Sequence, residues 1–325
     1  MSLWSELQSP EFVMLSLSPI LIGALAAVAC ALPGNFLLLR KQALIGDAIS
    51  HVALPGIVAA FLITGDVSAL PMMLGAGAAA LIAAGLIEVI RRVGRLEAGA
   101  AMGVTFTTLF AAGVLLLETT NTSAVHLDVQ HALMGSLESL VWFDGAAGWA
   151  ALLDPEALAG APPQLLRLAL TLLAMIIYLR LFWTPLAIAT FDPGFAAAQG
   201  IPTALLSLSL TTMTAVAAVA AFEAVGSILV IAMFVCPPAA ARMMTDRLAA
   251  QAAWSVAFAL ASAVLGYVLA GYGPLWFGFD GAVSAAGMIA VVSGVILLAT
   301  TLAGPRRRRA GMLDPAMAGR AAQGG

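Results

Sequence analysis

The chain is short of charge. Only 10% of its 325 residues are Asp, Glu, Lys or Arg, where a soluble domain carries about 25%. It has one lysine (Lys41), three histidines and two cysteines. Each scarcity excludes something. Lys41 follows Phe36-Leu37-Leu38-Leu39-Arg40, and no GxxxxGK[ST] loop exists. The chain therefore cannot cradle ATP phosphates in the P-loop manner, and an ATP-driven step would belong to another polypeptide. HExxH and GxSxG are absent, and no Ser-His-Asp pattern is defensible, so an intramembrane enzyme would lack its parts. Cys30 and Cys236 lie in different apolar runs and in no CxxC pair. A disulfide framework or structural zinc site is disfavoured, and both read as small hydrophobic residues in packed helices. The start, MSLWSELQSPEF, has acids and no basic n-region, unlike a cleaved signal peptide.

What is abundant is apolar sequence. Hydrophobic residues make up 62% of the chain, and its mean hydropathy is +1.03. Runs of about 20 apolar residues recur, each long enough to span a hydrocarbon core about 30 Å thick. The alternating ten-residue segments of a β-barrel are not seen. The reading is an all-α polytopic membrane protein with about eight to nine transmembrane helices. Spans are expected at 13–38, 47–64, 69–90, 98–117, 165–184, 203–222, 224–241, 250–271 and 281–303. Residues 132–152, interrupted by Trp142, Asp144 and Gly145, are amphipathic and read as re-entrant, interfacial or a poor span. Residues 153–164 form a short outer loop. Residues 1–305 are expected to make a single transmembrane domain, and 306–325 a basic, disordered cytoplasmic tail.

Charge checks the span scheme. Alternation puts Arg40, Lys41, Arg91, Arg92, Arg95, Arg180, Arg242, Arg247, Arg306 to Arg309 and Arg320 on one side. That is 13 of the 14 basic residues, with Arg167 alone near the other face. The positive-inside rule makes the basic side cytoplasmic, with the N-terminus outside. The outer face is acidic and carries His126 and His131. The Arg306–Arg309 run abuts a span and anchors topology, with anionic lipid as a possible contact; nucleic acid is not an expected partner.

The stretch Gly46-Asp47-Ala48-Ile49-Ser50-His51-Val52-Ala53-Leu54-Pro55-Gly56 places an acid and an imidazole four residues apart in an apolar span. Positions i and i+4 share a helix face. With entry at Lys41, His51 would lie about 15 Å deep. Ionisable groups at such depth usually face a partner, a cavity or a pathway. A carboxylate with an imidazole suits Mn²⁺, Fe²⁺ or Zn²⁺. An Asp–His hydrogen bond that only orients helices also accounts for the pair. Pro55-Gly56 should weaken or kink the helix beyond it, freeing carbonyls as transporters do. Glu223 falls at the outer turn between two spans, as a ligand, a gate residue or a cap. Pro237-Pro238 should break the inner part of its helix, while Gly226 suits close packing. His126, Asp128 and His131 could guide a cation at the outer mouth or belong to a solvated loop.

On the cytoplasmic side, Phe191-Asp192-Pro193-Gly194-Phe195-Ala196-Ala197-Ala198-Gln199-Gly200-Ile201-Pro202 reads as a turn, a short helix and a stop. Asp192 is the N-cap and Pro193 the first helical residue, and Gly200 and Pro202 end it. Exposed Phe191 and Phe195 would let this helix seat in a partner's groove; an ordinary capped loop has the same local sequence.

LLLRKQALIGDAISHVALPG, TFDPGFAAAQGIP and FEAVGSILVIAMFVCPPAAARMMTDRL together resemble the permeases of bacterial metal-ion ABC importers, the zinc/manganese/iron uptake group. The resemblance covers about residues 15 to 303. It implies a type II ABC importer-like permease in the bacterial cytoplasmic membrane, paired with a second permease as a homo- or heterodimer. A cytoplasmic ABC ATPase dimer would bind ATP, and a periplasmic or extracellular metal-binding protein would deliver the ion. Phe191–Pro202 then matches the coupling helix, and Asp47 and His51 match the metal-coordinating pair. No cofactor would be permanently bound; manganese, iron or zinc is cargo. HLDVQHALMGSLESL and FEAVGSIL look more like the manganese/iron branch. Competing readings are a permease for an iron chelate or cobalamin and a proton-coupled secondary carrier. The second leaves the Phe191–Pro202 helix unexplained.

Overall fold

The computed structural model describes residues 9–43, 45–65, 69–119, 137–276, 278 and 283–305. The helices are α1 (Pro10–Leu39), α2 (Ile45–Thr64), α3 (Ala69–Val93), α4 (Ala98–Thr119), α5 (Pro155–Ala159), α6 (Pro163–Phe191), α7 (Pro193–Ala198), α8 (Thr203–Met244), α9 (Leu248–Trp276) and α10 (Ala285–Ala303). Seven of these, among the described residues, are long and apolar enough to cross a membrane. The 20 residues of α2 also suffice by length.

Helix α8 is two crossings. Its 42 residues would extend about 63 Å if straight, twice a hydrocarbon core. Thr203 opens beside Arg40 and Arg91 at the basic end of the bundle. Glu223 pairs with Arg167 near the opposite, outer end. Phe234 and Pro238 are back against Gly34 in the last turns of α1, and Met243 reaches Gly304 after α10. The chain therefore turns back, and it does so at Gly226, whose φ of 76° and ψ of 170° interrupt the helix. Only glycine adopts that region readily. With α2 included, this makes nine crossings among the described residues, in line with the eight to nine helices expected.

Two sequence expectations need correction. The break expected at Pro237-Pro238 is at Gly226 instead, and both prolines sit inside helix. Pro238 lacks the N–H that would bond the carbonyl of Phe234 one turn earlier. That carbonyl abuts Gly34 of α1, where a Cβ would also come within 2.9 Å of Pro238 Cγ. Likewise α2 runs helical through Pro55 to Thr64. Pro55 is accommodated by Gly113 of α4, whose added Cβ would lie 2.6 Å from Pro55 Cβ.

The core follows the α1–α8 pairing, where Phe36, Leu37, Val230, Met233 and Phe234 are essentially inaccessible. Around it the helix faces are apolar and exposed, as at Leu170, Leu173, Ile177 and Leu181 of α6. A lipid-facing surface has that composition. Residues 143–153 form a 3₁₀ segment that does not cross. It packs on the first turns of α1, with Val13, Trp142, Ala151 and Ala157 in a small separate core. Trp142 Nε1 donates to the Ala157 carbonyl at 2.8 Å, while Phe143 and Leu153 are exposed. Of the three readings of 132–152, the described part fits the interfacial one; residues 132–136, like 306–325, lie outside the described residues.

Candidate functional site

Asp47 and His51 stand one turn apart near the start of α2. The helix begins at Ile45 rather than Lys41, so His51 is about 9 Å in from its first residue. The pair therefore lies in the first half of α2, short of its midpoint. Its register is fixed by packing. A Cβ at Gly46 would meet Phe234 Cδ2 at 2.5 Å, so only glycine lets α2 lie directly on that ring. Ala48 and Val52, between and beyond the pair, are buried. On its outer half α2 meets α3 through Gly56 and Gly75, where Cβ atoms would crowd the opposing backbone. Small residues at facing positions let helices approach this closely. Sequence reasoning missed Phe234 because its partner lies almost 190 positions away in the chain.

Glu223 is engaged. Arg167 Nη1 donates to both of its carboxylate oxygens, at 2.8 and 2.9 Å. The pair is about one-third exposed and links the outer end of α6 to α8 just before its turn at Gly226. Arg167 was the one basic residue that charge counting left on the outer face, and that exception was the available signal. Among the described residues no group of three or more His, Cys, Asp and Glu side chains is placed to hold a metal. His126, Asp128 and His131 lie outside the described residues.

The helix expected at Phe191–Pro202 is present as α7 between α6 and α8. Asp192 caps it, Oδ1 accepting from the Phe195 N–H at 2.8 Å. It closes with paired bonds, Gly200 N–H to the Ala197 carbonyl and Ile201 N–H to the Ala196 carbonyl, each 3.0 Å. Gly200, at φ 75°, supplies the left-handed residue this closure needs. Ala196 is buried against the bundle, while Phe191 (58% exposed) and Phe195 (52%) face outward. Phe191 at the end of α6 and Phe195 on the capped α7 thus hold two aromatic rings in exposed positions at the basic end.

The sequence profile of the ABC 3 transport family matches residues 14–143 and 156–303. The chain belongs to this family. The manganese transport system membrane protein MntD of Bacillus subtilis is 38% identical over 283 residues, covering 87% of this chain and 90% of that protein. The zinc transport system membrane protein TroC of Treponema pallidum is 30% identical over 295 residues, covering 90% of each. Among solved structures, PsaBC from Streptococcus pneumoniae in complex with Fab superposes with a TM-score of 0.69 at 23% identity, covering 90% of this chain and 92% of that one. An inward-facing metal-chelate type ABC transporter gives 0.66 at 16% identity, covering 90% and 88%. The last two establish the fold. This ABC 3 permease is a multi-pass membrane protein, and the gap between the matched segments, 144–155, covers most of the 3₁₀ segment packed on α1.

Proposed function

We propose that the chain is the permease subunit of an ATP-driven importer of divalent metal ions, with manganese or iron favoured and zinc possible. The observation that carries this reading is α7. A rigid, capped, aromatic-bearing helix between two spans at the basic end is what a separate ATPase would grip. Relatives named for manganese and zinc transport support the cargo class. A second permease would complete the pathway, an ABC ATPase dimer would dock below, and a metal-binding protein would deliver the ion above. In this reading Asp47 and His51 are the ion's stopping point near the inner end. The remaining ligands come from water, other helices or the second permease, because two ligands are too few. Glu223, paired with Arg167, serves as an outer brace rather than a first ligand. Alternating access requires that the ion's ligand set differ between states, so that the site binds in one and releases in the other.

The test is metal accumulation, measured by elemental mass spectrometry, in cells expressing the permease with its ATPase and binding protein. Asp47→Ala and His51→Ala proteins are expected to reach the membrane at wild-type levels and to abolish accumulation of one metal. Undiminished uptake by both variants would make the pair structural. Uptake persisting with a hydrolysis-dead ATPase would favour the secondary-carrier reading.

A further inference from the structure

A polar pocket of about 340 Å³ lies at the cytoplasmic end, lined by residues from the last turns of α1, α3 and α6 and the first turns of α8. Three cations reach it: Arg40, Lys41 and Arg91. Arg91 is partly neutralised by Glu88, with donor distances of 3.1 and 2.9 Å. Arg40 is held in place by Nε donating to Thr190 Oγ1 at 2.9 Å, yet its buried Nη2 has no hydrogen-bond partner. Burial lowers the Arg40 guanidinium below its ordinary pKa, Tyr178 raises it and Arg91 lowers it further. A buried, unpaired guanidinium donor is costly, and a nearby cation compounds the cost. An anion removes both penalties.

The rest of the lining is suited to an oxyanion. Lys41 is exposed at the rim, set there by a left-handed φ of 58°. Its N–H bonds the Leu38 carbonyl at 3.1 Å and the Gln42 N–H bonds that of Leu37 at 2.8 Å, a closed helix end that fixes where the ammonium emerges. The N-terminus of α8 opens at Thr203 and Ala204, adding free backbone N–H groups and the positive end of a helix dipole.

We infer that this pocket binds the phosphate of an anionic phospholipid from the cytoplasmic leaflet. Position decides for lipid. Nearly every lining residue lies within about a turn of a span's end, the level at which headgroups sit, and basic pockets between transmembrane helices on this side suit such headgroups. The outward-projecting α7, where a protein partner would dock, contributes only Pro193. A lipid seated here would bridge α1, α3, α6 and α8 at the root of α7, tying that helix to the bundle. This inference does not depend on the cargo or on ATP.

The experiment is native mass spectrometry of the full chain in detergent, titrated with phosphatidylglycerol, with phosphatidylcholine of the same acyl chains, and with inorganic phosphate. Wild type should retain one phosphatidylglycerol more tightly than phosphatidylcholine, and inorganic phosphate at equal concentration should not displace it. Arg40→Gln and Lys41→Gln should each weaken retention about fivefold. Lys41 is exposed, so its variant keeps the test open if Arg40→Gln, which also loses the Thr190 bond, fails to fold. Arg247→Gln, an exposed arginine on the same side but outside the pocket, should retain lipid as wild type does. Wild-type retention by the Lys41→Gln protein, or an equal loss in Arg247→Gln, overturns the pocket. Displacement by inorganic phosphate overturns the lipid assignment in favour of a soluble anion.

Discussion

Gly56→Ala would put a methyl group where α2 and α3 touch backbone to backbone. Its Cβ would lie 2.7 Å from the Ala79 Cβ and nearer still to the Gly75 carbonyl, while ordinary contact begins at 3.4 Å. The reciprocal position is as tight, a Cβ at Gly75 coming 2.5 Å from Ala60 Cβ. None of these neighbours is a flexible side-chain end, so the helices themselves must part by about 1 Å. Overpacking against a surface that cannot yield sits near the top of the usual range, about 3 kcal/mol. Alanine recovers about 1 kcal/mol of helix propensity over glycine. The net loss is about 2 kcal/mol, or about thirtyfold in the equilibrium. Gly77→Ala is the control: it lies on α3 with nothing within 4 Å of its added Cβ, so only the propensity gain remains. Thermal unfolding of the purified proteins in one detergent should give a lowered midpoint for Gly56→Ala and an unchanged or raised one for Gly77→Ala. Parting α2 from α3 also shifts the helix that carries Asp47 and His51, so Gly56→Ala should lower transport at equal membrane levels. Midpoints moving together in the same direction would refute the close-contact argument.

The remaining predictions concern the ends of the helices. Gly226→Ala forces a side chain into a glycine-only backbone region and should destabilise the protein by about 1–3 kcal/mol; an unchanged unfolding midpoint would show that the turn does not need its positive φ. Glu223→Gln should cost no more than about 1 kcal/mol, because both partners are about one-third exposed and solvent screens them. In a double-mutant cycle, Arg167→Gln should then add less in the Glu223→Gln background than in wild type. Asp192→Ala removes the cap of a six-residue helix, about 1 kcal/mol locally. It should lower ATPase stimulation by the assembled complex, and Asp192→Asn, which still caps, should restore it; equal stimulation by all three would show that capping is irrelevant to coupling.

The features legible in the sequence were those set by local rules. Hydropathy gave the spans, and the one-sided arginines gave their alternation. The Asp-Pro start and Gly-Ile-Pro stop defined α7, because capping and termination depend on a few adjacent residues. Contacts between distant segments were not legible: Phe234 on Gly46, Arg167 on Glu223, and the pocket assembled from four helix ends around Arg40. No periodicity encodes which side chain a helix will meet from another part of the chain.

The misread breakers show a different limit. In water a proline inside a helix often ends it, because the freed carbonyl finds solvent and the chain can leave the helical path. In a bilayer core nothing outside the protein accepts a hydrogen bond, so leaving the helix would orphan more groups than the proline does. The helices accordingly run through Pro55, Pro237 and Pro238. At Pro238 the neighbouring helix comes close, Gly34 letting α1 approach the Phe234 carbonyl. Reversal needs something proline cannot supply, a positive φ, and the chain reverses at a glycine. A Pro-to-Ala change at 238 therefore should leave the topology intact, whereas any non-glycine residue at 226 strains it. In a sequence this apolar, glycine rather than proline marks where a helix turns.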